Sequence, residues 1–88
     1  MKIVSYRISL GTGQVHVDMP DTAKVLDIVH EQDISAVSIM TVQNGDVRRI
    51  KRIFHTVGEG NIIPWNSNYI GKYMLDDRAH LVFEVDHQ

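Results

Sequence analysis

Apolar and polar residues alternate along most of this chain, with the period of a half-buried β-strand. In the first such segment Val4, Tyr6, Ile8 and Leu10 share one face. Turn residues separate the segments at intervals of about 8–12 residues, which is typical of a small antiparallel sandwich or barrel. The pattern predicts an all-β fold of about seven strands, over 2–10, 14–19, 22–32, 35–42, 46–57, 68–75 and 80–87.

The segment 22–32 allows a second interpretation. Asp21 or Thr22 can cap a helix, and Val25, Leu26 and Val29 lie near one helical face. Apolar residues also occupy both faces if the segment is extended, as in a strand that is buried on two sides. We favour the strand, and the fold becomes α+β if the segment is helical.

Two turn signals predict local hairpins. Gly11-Thr12-Gly13 follows the first strand, and Asn44-Gly45 follows the fourth. Glycine accepts positive φ, and an Asn-Gly pair is the strongest short hairpin signal. We therefore expect the first two strands to pair with each other, and likewise the fourth and fifth. Ile50 and Ile53 break the alternation of the fifth strand, and a bulge near Lys51–Arg52 would restore it.

Length and composition indicate one small domain, residues 1–88. A domain of this size buries only about 60–65% of its unfolded surface, so we expect a homo-oligomer whose interface adds to the core. The net charge of −2 makes binding to duplex nucleic acid unlikely. The absence of Cys excludes disulfides and thiol chemistry.

The start of the chain alternates and has no continuous apolar stretch, so it does not resemble a signal peptide. No apolar run approaches the roughly 20 residues that span a bilayer. The sequence therefore predicts a cytoplasmic protein without a membrane partner.

A basic cluster is the most prominent local feature. Arg48, Arg49, Lys51 and Arg52 are four of the nine Lys and Arg residues. In a strand, Arg49 and Lys51 face one way, and Arg48 and Arg52 the other. Arg side chains bind phosphate or carboxylate groups through paired hydrogen bonds. The alternative is a charged edge strand that discourages pairing with other chains.

A loop rich in Gly, Asn and Pro follows this strand. Gly58-Glu59-Gly60 begins like a phosphate-binding loop, but Ile63 stands where the last Gly of G-x-G-x-x-G belongs, which favours a plain turn. His55 can assist anion binding when it is protonated. Trp65, the only Trp, is expected either in the core or at an interface between subunits, or as an anchor on a partner.

No catalytic or metal-binding pattern is present. Ser, His and Asp residues are scattered over predicted strands without a nucleophile elbow. The five His residues show neither H-x-H nor H-E-x-x-H spacing. We expect no enzyme activity, no metal and no cofactor.

Four stretches resemble an uncharacterised family of small proteins encoded mostly by tailed phages and prophages. They are VSYRISL, MPDTAKVLDIVHEQ, RRIKRIFHTVGEGNIIP and YIGKYML…LVFEV, and together they cover most of the chain. The resemblance implies a compact all-β protein in a phage setting, hence in the cytoplasm of a bacterial host. It identifies no catalytic residues, and Thr56–Gly60 departs from the loop usual in the family.

Taken together, these features predict a non-catalytic accessory or counter-defence protein that binds a host or phage protein. The predicted contact surface is the stretch 48–65, with Arg48, Arg49, Lys51, Arg52, His55 and Trp65 as its binding residues. One alternative is an oligomeric sponge that sequesters a small anionic nucleotide. Another is a minor virion or assembly protein.

Overall fold

The computed structural model describes residues 1–31, 36–45 and 48–86. These residues form seven β-strands and no helix, which confirms the all-β prediction. The interpretation of 22–32 as a helix is wrong, because most of that segment is extended and paired with a neighbouring strand. The strands are β1 (Lys2–Ile8), β2 (Gly13–Pro20), β3 (Lys24–Glu31), β4 (Ala36–Gln43), β5 (Arg49–Gly58), β6 (Ser67–Leu75) and β7 (Arg78–Val85).

The strands form two antiparallel sheets that pack as a sandwich rather than a closed barrel. The first sheet has the order β1-β4-β3, and the second has the order β2-β5-β7-β6. A single sheet leaves its apolar face in contact with water. Each sheet buries that face by packing it against the other sheet. No helix that could cross a membrane occurs in the parts of the chain that the structure describes.

The core lies between the sheets and is filled by inward-facing apolar side chains from both. Phe54, Met19, Ile39, Val37 and Val82 are its largest fully buried apolar members. Val37 and Ile39 alternate with half-buried residues along β4, the middle strand of the smaller sheet. The period-2 pattern in the sequence therefore corresponds to the two faces of each sheet.

Strands β3 and β6 bring the two sheets into close contact on one side of the sandwich. Each is an edge strand that carries a bulge, between Val25 and Asp27 in β3 and between Tyr69 and Gly71 in β6. A Cβ atom on Gly71 would lie 2.7 Å from Cγ1 of Ile28, so only glycine fits this contact.

The predicted pairing of the first two strands is wrong. β1 pairs with β4, and β2 pairs with β5 in the other sheet. The Gly11-Thr12-Gly13 turn is therefore a corner between sheets, and both glycines have positive φ, 93° and 134°. The Gly11 N–H donates to the hydroxyl of Tyr73 at 3.0 Å, which attaches the corner to β6. The glycine-rich sequence of the turn predicts where the chain changes direction, but it does not predict which strands β1 and β2 pair with.

The predicted hairpin at Asn44-Gly45 is also wrong, because β4 and β5 belong to different sheets. The consecutive strands that do pair are β3 with β4, and β6 with β7. The second of these pairs turns through Asp76 and Asp77, whose φ values of 51° and 62° are those of a type I′ turn. The two-residue turn that forms a hairpin thus contains Asp-Asp.

The predicted bulge at Lys51–Arg52 is absent. Arg49 to Thr56 pair with Pro20 to Gly13 in an unbroken register. Ile50 and Ile53 instead lie on opposite faces, and the larger sheet has apolar residues on both. The predicted strand 46–57 begins at two residues, Asp46 and Val47, that lie outside the described residues, as does His87 at the end of 80–87.

Candidate functional site

Arg52 is buried in the sandwich and takes part in a structural ion pair. Its Nε and Nη2 donate to the two carboxylate oxygens of Glu84 on β7, at 2.6 and 2.7 Å. Its Nη1 donates to the backbone carbonyl of Ala23, just before β3 in the other sheet. The guanidinium is therefore engaged within the protein and joins the two sheets, while the other predicted cations are exposed.

Arg48 and Arg49 lie at the start of β5, near the end of β2. The Arg48 carbonyl accepts a hydrogen bond from the Asp21 N–H at 2.8 Å, and its side chain is exposed. Arg49 Nη2 donates to the carbonyl of Asp18 at 2.8 Å, and Nε lies 3.8 Å from the Asp18 carboxylate. Arg49 also lines a cleft between the sheets.

Lys51 and His55 lie on the outer face of the larger sheet, opposite to the side occupied by Arg52. Alternation along β5 places them there, since Arg52, Phe54 and Thr56 between and beside them are buried. Lys51 is exposed and pairs in register with Asp18, and His55 is half-buried beside Phe83. The predicted binding residues on and beside β5 therefore do not form one site. Arg52 belongs to an interior ion pair, Arg48 and Arg49 lie at the start of the strand, and Lys51 and His55 lie on the outer face.

The connection 59–66 crosses this outer face. β5 and β6 run parallel with β7 between them, so the chain must return along the sheet to start β6. The inner face is filled by the core, which leaves the outer face for the crossing. Val57 and Phe83 point outward, away from Thr56 and Val82, yet both are buried. The Tyr69 ring packs against Phe83 in an edge-on arrangement, with 5.6 Å between the ring centroids.

Hydrogen bonds hold both ends of this connection. Asn61 Oδ1 accepts from the Gly58 N–H at 2.9 Å, and the Asn61 N–H donates to the Gly58 carbonyl. At the other end Ser67 Oγ donates to the Pro64 carbonyl at 2.6 Å, and the Asp86 N–H donates to the Asn66 carbonyl. The segment is therefore fixed to the sheet at both of its ends.

The apolar side chains of this connection point to solvent. Trp65 is 84% exposed and Ile62 is 91% exposed, with Ile63 and the nearby Tyr69 also exposed. The expectation that Trp65 belongs to the core is therefore wrong, whereas burial at a subunit interface and anchoring on a partner stay predictions. Single exposed apolar residues are ordinary, but several on one segment indicate a contact site. We call residues 62–65 the Trp65 loop.

The predicted contact stretch 48–65 contains Ile62 and Ile63, but neither they nor Tyr69 are among its predicted binding residues. The available signal was the run Ile62-Ile63-Pro64-Trp65, which is apolar yet stands between Gly and Asn residues that end strands. Such a run cannot alternate between two faces, and a connection of this kind runs over the surface. Tyr69 could not be assigned in advance, because the bulge between Tyr69 and Gly71 separates it from the face of Tyr73.

Among residues 1–31, 36–45 and 48–86, no three His, Asp or Glu side chains converge as a metal site would require. Two His rings flank Tyr73 instead. The His30 and His80 ring centroids lie 5.4 and 5.3 Å from that of Tyr73. These rings pack against the core and join β3 to β6 and β7.

Comparison of the chain with protein-family models, with curated proteins and with solved structures finds no match.

Proposed function

We propose that this chain is a non-catalytic accessory protein that binds a host or phage protein through the Trp65 loop. The observation that carries the proposal is the exposure of Trp65 and Ile62 on one connection with both ends fixed. Burying one such side chain contributes about 1.5–3 kcal/mol. Trp is also among the residues that most often dominate protein interfaces.

The way the loop is held favours recognition of a folded partner. A segment that is already ordered loses less conformational entropy on binding than a disordered one. Asn61 and Asn66 hold its two ends through the hydrogen bonds described above. The occupant that suits this geometry is an apolar pocket on a folded protein.

The experiment is a comparative capture from lysate of the bacterial host. Tagged wild-type chain, Ile62→Ser and Trp65→Ala are compared with Leu26→Ser, which removes an exposed apolar side chain from the other sheet. We expect a protein that is retained by the wild type and Leu26→Ser and is lost with both loop variants. Equal capture by all four proteins, or no captured protein, would contradict the proposal.

The captured protein can then be purified and titrated into the chain while Trp emission is recorded. Trp65 is the only Trp, and its indole is largely in solvent. If it enters an apolar pocket, its emission should move to shorter wavelength and saturate with the same midpoint as binding, provided the partner's own emission is subtracted. An emission maximum that stays constant while the complex forms would place the contact elsewhere.

The same proposal includes self-association, for which β1 is the favoured edge. It pairs with β4 over seven consecutive positions without a bulge, and its outward Ile3 is exposed. Regular edges of this kind can accept a strand from another copy, and a further charge in place of the outward apolar Ile3 opposes it. Light scattering over a concentration series should give a mass above that of the monomer, reduced by Ile3→Lys and not by Trp65→Ala. A monomer at all concentrations would contradict self-association through β1.

A further inference from the structure

A cleft of about 290 Å³ opens between the two sheets, away from the Trp65 loop. It lies where the start of β1 and the end of β4 approach the end of β2 and the start of β5. Its volume is close to the lower limit of pockets that hold small molecules, about 300 Å³. None of its lining residues belongs to β6, β7 or the connection 59–66.

Among the described residues that line the cleft, two carry a positive charge and none carries a carboxylate. Lys2 and Arg49 come from different sheets, and both are among the residues that line the cleft. Nη2 of Arg49 is held by the Asp18 carbonyl, which orients the guanidinium, and no hydrogen bond from Nη1 is found among the described residues. The Asp18 carboxylate balances Arg49 only in part, because it lies 3.8 Å away and both side chains are at least half-exposed.

The rest of the cleft combines apolar walls with a buried polar pair. Half-buried Val4 supplies accessible apolar surface, and the fully buried Pro20 belongs to the same wall. The Tyr6 hydroxyl lies 3.1 Å from Nε2 and 3.3 Å from Oε1 of Gln43, whose side chain is buried. An amide nitrogen has two N–H donors, and Tyr6 engages one of them. A buried polar group with spare hydrogen-bonding capacity beside apolar walls is typical of a ligand site.

We propose that this cleft binds a small organic anion with a flat apolar body. Its carboxylate or phosphate group lies between Lys2 and Arg49, where charge-assisted hydrogen bonds are strongest. Its body contacts Val4 and the Tyr6 ring, and its polar edge meets the Gln43 amide. The inference does not depend on the Trp65 loop, since the two surfaces share no residue.

The test uses three probes at matched ionic strength: benzoate, adenosine 5′-monophosphate and inorganic phosphate. Matching the ionic strength removes general screening of surface charge. We expect benzoate or the nucleotide to raise the melting temperature in a saturable manner, and inorganic phosphate to raise it much less. The stronger organic probe shows which of the two ligand classes the cleft prefers, an aromatic carboxylate or a nucleotide phosphate. No shift with either organic probe, or an equal shift with inorganic phosphate, would overturn the proposal.

Variants then place the binding in the cleft. Lys2→Gln/Arg49→Gln should weaken binding at least about tenfold, because hydrogen bonds to charged groups contribute about 1.5–3 kcal/mol. Arg7→Gln/Lys24→Gln removes the same charge from exposed positions outside the cleft and should leave affinity unchanged. Val4→Phe alters no charge but fills the cleft, and should also abolish binding. Equal affinity in all variants, with circular dichroism showing that each is folded, would refute the site.

Discussion

The guanidinium of Arg52 connects three separate parts of the chain. It binds both carboxylate oxygens of Glu84 on β7 and the carbonyl of Ala23 before β3. Its neighbours Arg49 and Lys51 have the same charge but are exposed. The difference follows from strand alternation, which turns Arg52 toward the core face, where only a side chain with partners for its donors is tolerated.

Arg52→Ala should lower the free energy of unfolding by about 3 kcal/mol, because it leaves Glu84 without its partner in a mostly buried position. Urea denaturation monitored by circular dichroism measures the change. Arg52→Met/Glu84→Leu should recover much of the loss, since it removes both charges and retains apolar volume. A loss below about 1 kcal/mol in Arg52→Ala would contradict the structural role of the pair.

Gly71 is the residue that permits β6 to approach β3. Gly71→Ala would place Cβ 2.7 Å from Cγ1 and 3.1 Å from Cβ of Ile28. The sheets must then separate, so we expect a loss of about 1–3 kcal/mol in urea denaturation. Gly45→Ala is the control, because its Cβ would meet no atom within 4 Å. In an Ile28→Ala background the cost of Gly71→Ala should fall, and a cost independent of Ile28 would show that the contact is unimportant.

The strands follow local sequence, but their partners do not. Period-2 alternation located all seven strands, since it reflects which faces each strand can bury. The two glycine-containing turns have the local sequence of hairpins, but both connect the two sheets. The hairpin between β6 and β7 instead uses Asp76 and Asp77, which accept positive φ less readily than Gly. Strand pairing is chosen by the burial of all faces together, over distances that a turn does not sense.

Asp77→Gly should stabilise the protein by about 1 kcal/mol, because φ of 62° costs Gly less than Asp in a type I′ turn. For a domain of this size such a change raises the melting temperature by about 4–8 °C. Asp77→Val should have the opposite sign, since a β-branched residue is strongly disfavoured at positive φ. If both variants melted at the wild-type temperature, the turn would not limit stability.

Two surfaces of different chemistry lie on separate parts of the sandwich. The Trp65 loop displays exposed apolar side chains on the connection between β5 and β6. The cleft is lined by Lys2 and Arg49, with contributions from β1, β2, β4 and β5. The stretch 48–65 therefore contributes to both surfaces, because β5 runs from the cleft to the start of the crossing connection.

Changes at the two surfaces should act independently. Trp65→Ala should abolish capture of the protein partner and leave affinity for the organic anion unchanged. Lys2→Gln/Arg49→Gln should do the reverse, since residues without shared contacts have additive effects. Both affinities can be measured by calorimetry on the same four proteins: wild type, each variant and their combination. If either change altered both affinities by more than about twofold, the surfaces would be coupled through the sandwich.

The sequence by itself determined the all-β class, the approximate positions of the strands and the concentration of basic residues at the start of β5. These properties depend on local periodicity and composition, which can be read along the chain. Only the tertiary structure decided that Arg52 is buried while Arg49 lines a cleft, and that Trp65 is exposed. The physical reason is that burial depends on which strands meet across the sandwich. Residues as distant in sequence as Lys2 and Arg49 share a site only after the two sheets have packed.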